Sequence, residues 1–339
     1  MNKIELIGEI GTNHNGSIDT AFKLIDLAAD ANLDTIKLQI YDANDIVSPL
    51  VKTSFYGVES KYKYWHQYIN NKLITPKEWL EDVISYSKNK NLDIITTVHS
   101  IKGAEFCLKK GIKRLKIASM DCNYYPFLKQ ISDLNVPVLL STGMANKYEI
   151  MKAVDIFYEK NIDLTLFHCT ATYPTKYEEA NISFLNFLKS LKPNKLGLSD
   201  HSENSDLVLM SIPYGVNVIE KHITICKKQS GPDHNFALDY KGMTEWRNKT
   251  DNALLAIGSD KKFLSKRELD NRNKFRRKPI LKKRVRKRDV LQKDNLYFAR
   301  PENIYDDLVD IENYHIFLGM QFLEDVKSNS CLRKKYFIP

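Results

Sequence analysis

No stretch of this chain approaches about 18 consecutive apolar residues, so no membrane-spanning helix and no membrane partner are expected. The first residues, Met1-Asn-Lys-Ile-Glu-Leu-Ile7, enter an apolar run at once and lack the basic region, long apolar core and small-residue cleavage site of a signal peptide. Cysteine is sparse. Cys107, Cys122, Cys169, Cys226 and Cys331 are odd in number and scattered, with no C-x-x-C spacing. They read as reduced thiols in a cytoplasmic protein. Cys169, beside His168, is either a nucleophile or a small buried filler, and the filler reading is favoured. No G-x-G-x-x-G follows the first apolar run and no P-loop pattern is present, which argues against a nucleotide-binding sheet.

What is present is globular: 43% of residues are hydrophobic and 11% aromatic. The net charge of +9 is unevenly placed. Residues 1–260 hold 30 Lys and Arg against 31 Asp and Glu, whereas residues 261–339 hold 21 against 11. The basic tail lacks zinc-finger spacing and aromatic RNA-binding motifs. A solvated segment partly facing an anionic substrate is therefore preferred to a nucleic-acid partner.

Eight short runs rich in Ile, Leu and Val recur at Ile4–Ile10, Thr35–Gln39, Asp93–Thr97, Arg114–Ala118, Val136–Ser141, Asp163–His168, Lys195–Ser199 and Asn217–His222. They barely alternate, as expected for strands buried on both faces of a parallel sheet. Helix signals lie between them. Ser17 caps an apolar face of Ala21, Leu24, Ile25 and Ala28. Thr75-Pro-Lys-Glu78 and Asn146-Lys-Tyr-Glu149 read as capping boxes, and Ser100 and Gly111 bracket a further helix. Eight β-α repeats in about 250 residues predict an α/β fold, a TIM barrel, with a doubly wound sheet as the alternative. The expected organisation is a catalytic barrel over 1–258, a basic linker over 259–278 and a small C-terminal domain over 279–339. Residues 42–74 form a long aromatic connection, either a lid or a packed insertion.

In such a barrel the active site lies at the C-terminal strand ends. Those ends supply Glu9, Lys37, Gln39, Thr97, Lys116, Ser119, Asp121, Ser141, Thr142, His168, Thr170, Tyr173, Ser199, His201, Glu220 and His222. His201 and His222, from neighbouring strands, suit a catalytic divalent cation with open positions, with Glu220 as support behind them. Lys37 and Lys116 with Ser119, Ser141 and Ser199 suit a phosphate or carboxylate anion.

Taken together, Ile7-Gly-Glu-Ile-Gly-Thr-Asn-His-Asn-Gly16, Ile36-Lys-Leu-Gln39, Leu115-Lys-Ile-Ala-Ser119, Leu140-Ser-Thr-Gly-Met144, His168-Cys-Thr170, Tyr173-Pro-Thr175, Gly197–Ser202, Ile219–Thr224 and Gly231-Pro-Asp-His234 resemble the sialic acid synthase family. The segments run in order through the whole barrel. Asp294-Asn-Leu-Tyr-Phe-Ala-Arg-Pro301 resembles the family's β-rich antifreeze-like (SAF) domain. The resemblance implies condensation of phosphoenolpyruvate (PEP) with the open-chain aldehyde of an N-acetylmannosamine-like sugar, with release of phosphate. It implies a divalent metal on His201 and His222, Mn²⁺ first, with Mg²⁺ or Co²⁺ as alternatives. Glu9, Lys37, Lys116, Asp121, His201 and His222 would be catalytic. Lys37, Lys116, Ser119, Ser141 and Ser199 would bind PEP. Gln39, Asp121, Tyr173, Asp233 and Arg300 would bind the sugar, Arg300 from the other subunit of a domain-swapped homodimer.

The chain departs from the family pattern at several points. Asp121 stands where many bacterial members carry glutamate, and Gly8 replaces a usual alanine. Lys287-Arg288 and Arg276-Arg-Lys-Pro279 replace the tail's usual Lys-Lys-Gly and Arg-Arg-Ser. The motifs divide between the pseudaminic branch and the neuraminic and legionaminic branches, and the neuraminic-like acceptor is preferred. Two rival readings are a Schiff-base aldolase using Lys37 or Lys116, and an inactive barrel whose basic tail binds a partner.

Overall fold

A computed structural model describes residues 3–57 and 60–337. Met1 and Asn2, which open the apolar N-terminal run, and the last two residues of the expected C-terminal domain lie outside these.

Eight strands close a barrel in sequence order: β1 (Glu5–Glu9), β2 (Thr35–Gln39), β3 (Asp93–Thr97), β4 (Leu115–Ile117), β5 (Val138–Ser141), β6 (Leu164–Cys169), β7 (Lys195–Ser199) and β8 (Val218–His222). Every neighbouring pair is parallel, and β8 returns to β1 with Glu9 opposite His222. This is the TIM architecture.

Residues two apart share a face of a strand, so the inward positions stack in layers. At the N-terminal end Arg114 donates to Glu5 at 2.7 Å and to Asp93 at 2.7 Å. The middle layer is apolar: Ile7, Ile95, Leu139, Phe167 and Val218. Above it the inward side chains turn polar. A second, larger core fills the space between strands and outer helices.

Gly197 makes the middle layer possible. A Cβ there would lie 2.7 Å from ring atoms of Phe167, which is fully buried. Gly197→Ala is expected to destabilise the protein by about 1–3 kcal/mol through overpacking. Thermal denaturation checks this, and Phe167→Leu in the same background should recover much of the loss. Gly8 has a similar reason: Leu33 and Ile223 already stand 3.0 and 3.1 Å from where its Cβ would be.

Ser17 caps the helix Ile18–Asp30 and Ser100 caps Ile101–Lys109. Asn146 forms the expected capping box of Lys147–Tyr158. Thr75 does not cap a helix. Its hydroxyl bonds Nε2 of the buried His14 at 2.9 Å, and a short 3-10 turn, Lys77–Trp79, leads into Leu80–Asn89. The long connection folds into short helical turns in which Trp65 stacks on Tyr68.

By its contacts the chain divides after Gly258. The C-terminal unit pairs β9 (Lys278–Leu281) antiparallel with β10 (Leu296–Ala299) around a small core that includes Leu281, Leu291, Val309 and Phe322. The segment expected as a linker contains a helix, Lys266–Phe275, capped by Ser265. Its Lys, Arg and Glu residues are strong helix formers, so charge here marks an exposed helix and not a coil.

Candidate active site

The polar upper layer opens into a pocket of about 330 Å³ at the C-terminal strand ends. Glu9, Lys37, Gln39, Lys116, Ser119, Ser141, Tyr173, Ser199, His201, His222 and Asp233 all line it. Most come from the strands themselves, while Ser119, Tyr173, His201 and Asp233 come from the loops that follow them.

The floor is an ion-pair network. Lys37 Nζ donates to Glu220 Oε1 at 2.8 Å and stands 3.5 Å from Glu9 Oε2. Ser199 Oγ donates to the same Glu220 oxygen at 3.0 Å, and Gln39 Nε2 donates to Glu9 Oε1 at 2.6 Å. Glu220 is thus the counter-ion of Lys37, beyond the supporting role behind His222 that its position suggested. Burial would raise its pKa, but Lys37 and Lys116 outweigh burial and hold it low, at about 2. Glu9 goes the other way: burial, assisted by Glu220 and opposed by Lys37, pushes it up to about 7. Lys37 is raised because Glu220 and Glu9 together overcome its own burial. Lys116 has no such carboxylate partner among the described residues. It donates to Ser141 and to the Ile117 carbonyl, and burial brings its pKa down to about 8.

His201, two residues past β7, and His222, the last residue of β8, face each other with ring centroids 5.5 Å apart. His201 Nδ1 donates to the Thr170 carbonyl at 2.9 Å, which turns Nε2 to the pocket as the nitrogen available to a ligand. Burial and the nearby Lys37 lower His222 to about 3, so it is a neutral imidazole. Its Nδ1 is buried without a hydrogen-bond partner, 3.6 Å from Asp233 Oδ2. Glu9 Oε2 and Glu220 Oε2 are likewise buried without a hydrogen bond among the described residues, Glu9 Oε2 having only the longer ion-pair contact to Lys37. Orphaned buried acceptors beside two facing imidazoles fit a divalent cation. Among the described residues no group of three His, Cys, Asp or Glu side chains converges as a preformed cluster. Two imidazoles with open positions match a catalytic site better than a closed structural one.

Of the expected strand-end ring, Asp121, Thr142, His168 and Thr170 do not line the pocket. His168 does not join the ring. On β6 the inward residues are Phe167 and Cys169, so period two sends His168 outward, where its Nε2 bonds the Ala180 carbonyl at 2.7 Å. Asp121 is buried behind the wall, not on it, and pairs with His99 Nδ1 at 2.6 Å. It is His99 that faces the pocket. Sequence reading missed His99, although it stands two residues past Thr97 as His201 stands two past Ser199. Arg300 lies in the C-terminal unit just past β10, its guanidinium 4.9 Å from the ring centre of Phe275. Cys169 does face the pocket, 4.0 Å from His201 Nδ1. Tyr173 covers His201 with ring centroids 4.2 Å apart.

The model of the NeuB family matches residues 24–262. The N,N'-diacetyllegionaminic acid synthase of Campylobacter jejuni is 31% identical over 338 residues, spanning 98% of this chain and all of that protein. The pseudaminic acid synthase of the same organism is 30% identical over 340 residues, 99% of this chain and 97% of its own. Among solved structures, the N-acetylneuraminic acid synthetase of Leptospira borgpetersenii superposes with a TM-score of 0.70 at 28% identity, over 80% of this chain and 92% of that one.

Proposed function

The chain belongs to the NeuB family, and from that premise we propose that it condenses PEP with an N-acetylmannosamine-like 2-acetamido sugar and releases phosphate. One observation carries this reading: two buried lysines and a facing pair of imidazoles share one pocket at a barrel mouth.

Lys37, Lys116, Ser119, Ser141 and Ser199 would hold the phosphate and carboxylate of PEP, the lysines as point charges and the serines as donors. Gln39, Tyr173 and Asp233 would bind the sugar with Arg300, and Asp121 would act from behind the wall. C3 of PEP forms a bond to the aldehyde carbon, water adds at C2, and the C–O bond to phosphate breaks. Glu9, poised near neutrality by burial, is suited to take the proton that the adding water releases. A divalent cation on His201 and His222, Mn²⁺ before Mg²⁺ or Co²⁺, would supply Lewis-acid polarisation of the aldehyde. We read the C-terminal unit as an antifreeze-like domain that, in a domain-swapped homodimer, delivers Arg300 to the partner.

The test is phosphate release from PEP with Mn²⁺ over a panel of open-chain 2-acetamido sugars. Release with one sugar, abolished by EDTA, supports the synthase and names its acceptor. No release from folded, metal-loaded protein overturns it.

The state of Lys116 adds a pH prediction. Its ammonium holds the anion, and burial has lowered its pKa to about 8. As pH rises through that value the charge is lost and PEP binds more weakly. kcat/KM for PEP should fall about tenfold per unit well above pH 8, while Lys37, raised by its carboxylates, stays charged. A flat profile up to pH 9.5 would remove Lys116 from the PEP site.

The lowered Lys116 also keeps the Schiff-base aldolase in view, since a neutral amine is a nucleophile. Borohydride with a keto acid would trap that adduct on Lys116, and a PEP synthase should give none.

A further inference from the structure

His99 and Asp121 form the second imidazole-containing group of this pocket, at the ends of β3 and β4. In a closed eight-stranded barrel that is the side opposite β7 and β8, which carry His201 and His222. The imidazole is buried with its Nδ1 2.6 Å from Asp121 Oδ2. With Nδ1 turned to the carboxylate, Nε2 is the ring nitrogen left to the pocket, and in the neutral tautomer that donates to Asp121 it carries the lone pair. Nε2 has no protein partner among the described residues, and Tyr41 packs edge-on at 5.4 Å, restricting the ring. Asp121 does not reach the pocket wall, whereas His99 does. The carboxylate therefore fixes the tautomer and orientation of an imidazole, which presents a single acceptor to whatever fills the pocket.

We propose that His99 is the acceptor-specificity residue of this enzyme. Its Nε2 accepts a hydrogen bond from a hydroxyl on the part of the sugar remote from the aldehyde, and Asp121 is a positioning residue acting through it. The inference rests on the synthase reading and adds the group that recognises the far end of the acceptor. The geometry supports that placement. An aldehyde at the His201–His222 side directs the rest of an open-chain sugar across the barrel mouth, over the lysine floor, towards β3 and β4. A buried acceptor left unpaired by a sugar lacking that hydroxyl is a penalty, and penalties of this kind discriminate between acceptors.

The experiment compares wild type with His99→Asn, His99→Gln and Asp121→Asn. Asparagine can still donate to Asp121 from the Nδ1 position but offers nothing at Nε2. Glutamine restores an acceptor near Nε2. Steady-state kinetics use a 2-acetamido sugar with and without its terminal hydroxyl, and calorimetry of both sugars with Mn²⁺ reads binding without turnover. His99→Asn is expected to raise the acceptor KM about tenfold, the worth of one hydrogen bond, and to leave the KM of PEP unchanged. It should also erase the preference for the hydroxylated sugar, with partial recovery in His99→Gln. Asp121→Asn should have a smaller effect of the same kind, non-additive with His99→Asn.

An unchanged acceptor KM and preference in His99→Asn would overturn the proposal. Additive effects would place Asp121 itself against the sugar and overturn the positioning role. Wild-type protein that binds the sugar but releases no phosphate would defeat the synthase reading while the binding comparison still judges His99. Wild-type protein that binds neither sugar defeats both.

Discussion

His222→Ala is expected to lower phosphate release from PEP by about three orders of magnitude and to leave the fold intact. Lewis-acid stabilisation is worth several kcal/mol, and each 1.4 kcal/mol or so is tenfold in rate. The imidazole ends β8 beside Glu9, faces His201 and has an unpartnered Nδ1. Removing it therefore breaks no internal hydrogen bond among the described residues. The residual enzyme should bind Mn²⁺ far more weakly, read by the electron paramagnetic resonance of free Mn²⁺, while PEP affinity should change little if the lysines hold PEP as proposed. Thermal denaturation within a few degrees of wild type, about 1 kcal/mol for a domain of this size, would show that the loss is chemical. Metal-dependent activity retained at the wild-type rate would sink the assignment of His222.

Lys221→Ala is expected to cost about 3–5 kcal/mol of stability, because it strands a buried charge. Lys221 points away from the pocket, between two strand-end residues that face it. Its Nζ donates to Asp200 Oδ2 at 2.7 Å and to the Ser202 carbonyl at 2.9 Å, with both side chains essentially inaccessible to water. The thermal midpoint should fall by about 10 °C, and Lys221→Ala combined with Asp200→Ala should recover part of that. The pair also ties the outer faces of β7 and β8 where their neighbours, His201 and His222, turn inward. Mn²⁺ affinity should therefore fall with stability. A midpoint within about 2 °C of wild type would mean that water reaches and solvates Asp200, and that the pair does not lock the strand ends.

The barrel and most of the groups at its mouth, though not His99, were legible in the chain alone. Eight short, unalternating Ile, Leu and Val runs with helix signals between them admit few other topologies, since a strand buried on both faces needs helices outside it. Polar residues at the end of each run then fall on one face, because all strands of such a barrel point the same way. Lys37, Lys116, His201 and His222 could be found that way. Which side of each strand a residue takes, and what it meets there, was decided only by the tertiary structure. The two-residue period separates Cys169 from His168 and His222 from Lys221, but the sequence does not say which phase points inward until the barrel closes around Phe167 and Gly197. Side-chain pairings between one strand and another are equally invisible. Glu220 on β8 reaches Lys37 on β2 over the intervening β1, and Asp121 lies behind His99 because the loops after β3 and β4 fold together. Protonation states follow from those pairings. Glu9 is raised and Glu220 is lowered though both are buried glutamates, because burial depth and distance to a lysine are properties of the packed barrel and not of the chain.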